Sequence, residues 1–281
     1  MQFLKRLVFA AMRRAIRLLP TAIKRDFAEQ YIAKRISETG MSLALYDGST
    51  DLLRFSEPHT IIGCLAGGAI ADAVPWLQKI APRLPQGGVI FDVGGYHGIT
   101  AQWFARMAKH VHTFEPTPES VESIRRLLKV RQIANVSLHP IALSNKVGTS
   151  DFYIFRTRGH NSLGKVRASS KFVRKIQVPT TTLDTFVEQH GIKNIDFLKI
   201  DTEGFELEVL QGAKQLLSEG RIGTVIFEYN APILSSIGQK IAPLYELLMS
   251  AKYAIADLEG RPVSPREIEQ AVIGDFIASR N

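Results

Sequence analysis

From Val89 onward, short apolar runs alternate with segments whose apolar residues recur every three to four positions. Val89-Ile90-Phe91 reads as a buried strand, followed by a glycine turn and a helix over about 100–109. A second strand over 111–114 leads to a helix over 118–130, and a third strand runs from Val136 to about Ala142. A fourth strand is predicted at 196–200 with a helix over 205–218, and a fifth at 224–228 with a helix near 243–251. Residues 253–258 and 275–279 look like a final strand pair. Strands alternating with helices predict an α/β fold, a parallel sheet with helices on both faces. Between the third and fourth strands lies an insertion, about 148–182, in which 151–155 and 175–181 alternate like two antiparallel strands. The loop between them holds Arg156, Arg158, His160, Asn161, Ser162, Lys165 and Arg167. A long polar loop inside a compact domain is usually functional or disordered.

The first 86 residues have a different character. Leu4, Leu7, Val8, Ala11, Ala15, Leu18 and Leu19 recur at helical spacing, Lys5, Arg6, Arg13, Arg14 and Arg17 fall mostly between them, and Pro20 stops the pattern. Residues 1–40 therefore read as a basic amphipathic helical extension, and 41–86 as a helical lead-in to a domain over 87–281. Charge sharpens this division. The chain carries +8 over 281 residues, but residues 1–25 hold seven basic residues and no acid. The remainder has 28 basic and 27 acidic residues, a net +1. A general nucleic-acid surface spreads its Lys and Arg more widely, so nucleic acid is not an expected partner. The apolar run 7–12 is too short to span a membrane. Three readings of the basic helix stay open: packing on the domain with its charges in water, contact with an anionic membrane surface, or targeting. Cys64 is the one cysteine, which excludes an intramolecular disulfide and a cysteine zinc site and is consistent with a reducing, cytoplasmic compartment.

Three stretches carry chemistry. Phe91-Asp92-Val93-Gly94-Gly95-Tyr96-His97-Gly98 follows a strand and opens a helix. Its glycines permit φ > 0 and close approach of a ligand to the backbone. The spacing is not G-x-G-x-x-G, and an acid before the glycines repels a pyrophosphate but suits a positively charged ligand end. Glu115, in Thr113-Phe114-Glu115-Pro116, ends the second strand 21 residues beyond Gly94, where an acid accepts hydrogen bonds from both hydroxyls of a ribose. Lys199-Ile200-Asp201-Thr202-Glu203-Gly204-Phe205-Glu206 places Asp201 at the carboxyl end of the fourth strand, the edge where open α/β sheets bind ligands. Asp92, Glu115, Asp201 and Glu228 would all sit at that edge, whereas Glu206 is better read as closing the following helix.

Residues 89–230 resemble the FkbM-type methyltransferases, an S-adenosylmethionine-dependent family that includes O-methyltransferases of sugars and macrolides. The resemblance rests on Phe91-Asp92-Val93-Gly94, Phe114-Glu115-Pro116, Ala142-Leu143-Ser144, Thr182-Leu183-Asp184, the stretch from Lys199 to Glu206, Val209-Leu210-Gln211-Gly212-Ala213 and Phe227-Glu228. It departs in one place: the family's turn commonly reads Gly-Ala-Asn-x-Gly, and here it is Gly94-Gly95-Tyr96-His97-Gly98. The resemblance implies a class I methyltransferase fold, a Rossmann-like seven-stranded mostly parallel sheet whose last strand is antiparallel.

S-adenosylmethionine is accordingly the expected cofactor. Asp92 is expected at its sulfonium and amino-acid end, with Gly94, Gly95, Tyr96, His97 and Gly98 passing under it. Glu115, with Pro116 in the turn, is expected to hold the ribose, and Ala142 and Leu143 to wall the adenine. Asp201 is expected between cofactor and acceptor. A β-branched residue at Gly94 is expected to fill the cofactor's path with little loss of fold. Methylation of an alcohol needs a proton acceptor, for which Asp201 is the first candidate and His160 the second. Mg²⁺ on Asp201, Glu228 and Asn230 is a weighed but unfavoured alternative. The expected acceptor is a hydroxyl on a saccharide, glycolipid or related metabolite. An NAD(P)-dependent oxidoreductase and an inactive membrane-associated scaffold are the competing readings.

Overall fold

A computed structural model describes residues 79–155, 163 and 172–280, together with Trp76 and the short segments 43–44 and 52–53. The basic helix expected at 1–25, most of the lead-in and the loop around His160 lie outside the described residues. The chain divides into two compact units, Met1–Pro82 and Arg83–Asn281. The sheet and the site described belong to the second unit.

Its sheet is built from strands β1 (Val89–Val93), β2 (His110–Phe114), β3 (Val136–His139), β7 (Ile195–Ile200), β8 (Ile222–Asn230), β9 (Tyr253–Asp257) and β10 (Ile273–Arg280). Their spatial order is β9-β10-β8-β7-β1-β2-β3. β10 runs antiparallel to both neighbours, and the other pairings are parallel. The chain leaves β1 outward to β2 and β3, then returns beside β1 as β7 and proceeds outward the other way. The switch point therefore lies between β1 and β7, and the ends of those two strands frame the crevice where such sheets bind ligands. Both strands are covered on each face, which is why they read as nearly continuous apolar runs. Ile90, Phe91, Val93, Phe197, Leu198 and Ile200 are all buried. The two buried charges in these strands, Asp92 and Lys199, are register partners.

Helices α1 (Ile99–Phe104) and α2 (Pro118–Val130) connect β1, β2 and β3. The expected third strand stops at His139; Ala142 and Leu143 form β4 of a separate three-stranded sheet. There β4 pairs with β6 (Phe172–Thr181), which also pairs antiparallel with β5 (Gly148–Phe155). The insertion is thus a hairpin, as its alternation predicts. Helix α3 (Leu183–Gln189) follows it and is capped by the Thr182 side chain.

The single helix expected over 205–218 is two, α4 (Glu206–Gln211) and α5 (Lys214–Glu219). A Cβ at Gly212 would lie 2.1 Å from the Ser144 carbonyl oxygen, so the break sits where the backbone packs directly on a neighbouring loop. The Asp184 amide donates to the Gly212 carbonyl at 2.9 Å. Its carboxylate accepts from the amides of Gln215 and Leu216, both at 3.0 Å, and so starts α5. Beyond β8 lie α6 (Ala231–Ile237), α7 (Ala242–Ser250) and α8 (Pro265–Gln270).

One sheet face carries an aromatic layer: Phe91, Phe114 and Phe186, interleaved with His112, His139 and His190. His112 Nδ1 and His139 Nε2 are 3.0 Å apart and share one proton-donating contact. Burial, reinforced by neighbouring histidines, pushes His112 down to about 3 and His139 to about 4. Both are neutral at pH 7. Because the folded values lie below the unfolded one, the unfolded chain takes up protons first as pH falls. Their contribution is fully present above about pH 6.5 and is lost as pH falls toward about 4 for His139 and about 3 for His112, by at most about 1.4 kcal/mol per pH unit for each histidine because both are partly solvated. Urea unfolding at pH 7.5 and 5.5 should therefore show a smaller acid loss in His112→Phe than in the wild type, by about 1 kcal/mol; identical losses would rule the pair out as its source.

Candidate active site

The turn after β1 is drawn tight by two amides, Gly94 and Gly95, that donate to the Phe114 carbonyl, each at 3.1 Å. Gly94 takes φ +84° and Gly98, which precedes α1, takes φ +79°. Between them Tyr96 holds the left-handed φ of +45°, and its amide donates to Glu115 Oε2 at 2.9 Å. The Thr117 amide donates to Glu115 Oε1 at 2.8 Å. One carboxylate thus ties the glycine turn to the loop after β2, while each oxygen retains accepting capacity for a ligand. Glu115 is only 6% exposed, and burial raises its carboxyl above the usual range, opposed by those amide bonds.

Glu115 belongs to the wall of an open cleft of about 760 Å³ at the carboxyl ends of β1, β2 and β7. Gly94, Tyr96, Pro116 and Thr117 line it on the β1–β2 side, Ile141, Ala142 and Leu143 form an apolar wall, and Asp201, Thr202, Glu203 and Phe205 close the β7 side. Val93 and Phe114 at the floor, Phe152 of the hairpin and Leu163 complete the lining.

Asp201 is an accessible carboxylate of the site, with its side chain 43% exposed. Its amide donates to the Val93 carbonyl at 3.1 Å, so β7 holds it against the end of β1. Behind it, buried Lys199 places its Nζ 3.3 Å from Asp201 Oδ2 and 3.4 Å from Asp92 Oδ1, and donates to the Gly94 carbonyl at 3.2 Å. The two carboxylates hold the Lys199 ammonium charged against its burial, well above the usual lysine range. Glu206 is buried and accepts from the amides of Thr202 and Gly204 and from the Thr202 hydroxyl. Burial pushes it up to about 7. It closes the turn ahead of α4, in keeping with its expected local role.

Of the residues nominated from sequence, Gly94, Tyr96, Glu115, Pro116, Ala142, Leu143 and Asp201 meet in this one cleft. Asp92, Gly95, His97 and Gly98 do not reach its lining. Asp92 is fully buried, with Oδ2 accepting from Thr100 Oγ1 at 2.9 Å and Thr113 Oγ1 at 3.2 Å. Its charge is spent beneath the floor on two hydroxyls and Lys199, which corrects the expectation that it faces the ligand. His160 lies outside the described residues.

The expected oxygen set for a cation also changes. Asn230 Oδ1 caps α6 through the Ile233 amide at 3.4 Å. Glu203 instead joins Asp201 and Glu228, with carboxylate oxygens within 4.8 Å of one another. Burial, then Asp201 and the other nearby acids, push Glu228 up to about 9. Among the described residues, these three carboxylates are the ones that could hold a hard divalent cation. Lys199, Phe152 and Leu163 escaped the sequence reading. For Lys199 a signal existed: a charge inside the otherwise apolar run 197–200, level with an acid on the next strand.

A seven-stranded sheet in this order, with its last strand reversed and an acid-lined cleft at the switch point, is the class I methyltransferase fold. Residues 92–255 match the methyltransferase FkbM domain, and the chain belongs to that family. It is 26% identical over 148 residues to the 2-O-methyltransferase NoeI of Sinorhizobium fredii, covering 47% of this chain and 60% of that protein. It is 25% identical over 152 residues to methyltransferase 1 of Beauveria bassiana, covering 47% and 61%. The chain thus spans about three fifths of the length of these two curated relatives. Among solved structures it is similar to an FkbM methyltransferase from Methylobacillus flagellatus, with a TM-score of 0.45 and 12% identity over 90% of this chain and 60% of that one.

Proposed function

We propose that the protein is an S-adenosylmethionine-dependent O-methyltransferase acting on a hydroxyl of a saccharide, glycolipid or related metabolite. The observation that carries this reading is the pairing, in one cleft, of a nearly buried acceptor-only carboxylate, Glu115, with an accessible one, Asp201, across the switch point. The cleft's chemistry fits the cofactor. Glu115 would accept from the ribose hydroxyls, Ile141, Ala142 and Leu143 would face the adenine, and Gly94 and Tyr96 would support it from the glycine turn. When bound, the cofactor supplies an electrophilic methyl group. Asp201 takes the proton of the acceptor hydroxyl as its oxygen attacks, and the cleft supplies the alignment that such a displacement needs. Similarity to a protein described as a 2-O-methyltransferase supports oxygen as the methylated atom. Family membership argues against the nicotinamide reading.

The test is incubation with methyl-labelled S-adenosylmethionine and a panel of neutral methyl glycosides and glycolipids, beside protein and nucleic acid. Label on a saccharide hydroxyl is expected; label on protein or nucleic acid would overturn the acceptor class. Glu115→Ala should weaken S-adenosylmethionine and S-adenosylhomocysteine alike, since they share the ribose. Loss of hydrogen bonds to a charged group costs about 1.5–3 kcal/mol, read by titration calorimetry with each ligand. The variant should also lose thermal stability, because the amides of Tyr96 and Thr117 lose their acceptor. A large difference between the two ligands would remove Glu115 from the ribose. Among the described residues no helix is long and apolar enough to cross a membrane. Peripheral contact through residues 1–25 belongs to the same reading, and co-sedimentation with anionic against neutral vesicles tests it.

A further inference from the structure

We propose that Lys199 is a positioning residue for methyl transfer, locking the Asp201 carboxylate and the Gly94 carbonyl into one rigid unit at the switch point. This rests on the reading of Asp201 as the proton acceptor. The observation is one buried ammonium held among three oxygen-bearing groups from three places. Asp92 comes from β1, Gly94 from the turn that follows it, and Asp201 from the end of β7, all at 3.2–3.4 Å. The ammonium donates one hydrogen bond, to the Gly94 carbonyl, and lies at ion-pair distance from both carboxylates, so one buried charge faces all three groups at once. Lys199 is 5% exposed, and nothing in that position reaches the acceptor directly. Its action must pass through the groups it holds.

Charge accounts for the choice of residue. Asp92 is fully buried and would be an uncompensated anion without Lys199; with Lys199 alone it would be neutralised and need nothing further. The third partner is the informative one. Asp201 has water available and needs no buried cation to be tolerated, yet one of its oxygens is turned inward onto Lys199. That contact removes rotational freedom from the carboxylate at the place where a proton acceptor must meet a hydroxyl. It also fixes Asp201 to the Gly94 carbonyl, whose residue lines the same cleft. The two sides of the crevice, one facing the cofactor and one facing the acceptor, are thereby held at one spacing.

Replacing Lys199 alone leaves Asp92 unpaired and risks the fold, so the test uses an Asp92→Asn background. In it are compared Lys199→Met, Asp201→Asn and the two together, with the methyl glycoside that takes most label as acceptor. Lys199→Met should lower kcat by about 10–100-fold while moving the KM for S-adenosylmethionine by less than about threefold. Added to Asp201→Asn, it should lower kcat by less than about twofold, because residues acting through one group are not additive. In the ligand-free protein, amide exchange at Gly94 and Asp201 should rise by about tenfold or more, with Ile226 and Phe227 unchanged. Additive losses, an unchanged kcat, or exchange raised along the whole sheet would overturn the proposal. Full turnover in Asp201→Asn would instead bring down the reading of Asp201 itself, and that outcome is visible without any change at Lys199.

Discussion

Asp201→Asn is expected to lose about 10²–10⁴-fold in kcat, the usual contribution of a general base, while keeping most of its affinity for S-adenosylmethionine. The amide has the size of the carboxylate and retains one oxygen, but it cannot take up a proton. The fold should tolerate the change. Lys199 keeps Asp92 and the Gly94 carbonyl as partners, and the lost ion pair involves a half-exposed side chain, so the cost in stability should stay below about 1 kcal/mol. Steady-state kinetics on the labelled glycoside, beside calorimetric titration with cofactor, separates chemistry from binding. Loss of both together would make Asp201 a binding residue, and full turnover would remove it from the reaction. A divalent cation on Asp201, Glu203 and Glu228 gives a different signature: activity lost with EDTA, restored by Mg²⁺, and Glu228→Gln as damaging as Asp201→Asn.

The parallel sheet was legible because its central strands are buried on both faces and so leave continuous apolar runs, while α2 announces itself by the three-to-four-residue recurrence of its apolar positions. The break between α4 and α5 was not. Periodicity continues through Gly212, and only the approach of Ser144 and the Asp184 carboxylate, both distant in sequence, ends one helix and begins the next. The same distinction runs through the site. Glu115 and Asp201 are identified by the strand ends they occupy, a local property. Asp92 occupies a strand end too, but its partners Thr100, Thr113 and Lys199 come from three other elements, and they decide that its charge faces inward. Glu203 displaces Asn230 from the oxygen cluster for a similar reason: Asn230 is a good helix cap and is used as one.

Gly94 shows the consequence most sharply, and its replacement should be the most damaging to the fold. Sequence reasoning makes this glycine a matter of room for the cofactor, so that a side chain would cost binding alone. In the structure a Cβ at Gly94 would stand 1.8 Å from the Asp201 carbonyl oxygen, a backbone atom held by the β1–β7 pairing. The residue also takes φ +84°, where L side chains are strained. Gly94→Ala must therefore push apart the two strand ends that form the crevice. Gly191 supplies the control: it takes φ +61° with nothing within 4 Å of its Cβ position. Gly191→Ala should cost only the left-handed strain, about 1–2 kcal/mol. Gly94→Ala should cost about 4 kcal/mol or more, a large share of a typical domain's 5–15 kcal/mol. Urea denaturation of the two variants measures the difference directly. Equal costs would mean that the strand ends yield without penalty and that the glycine serves the ligand alone; the expected gap makes Gly94 a structural hinge of the site before any ligand arrives.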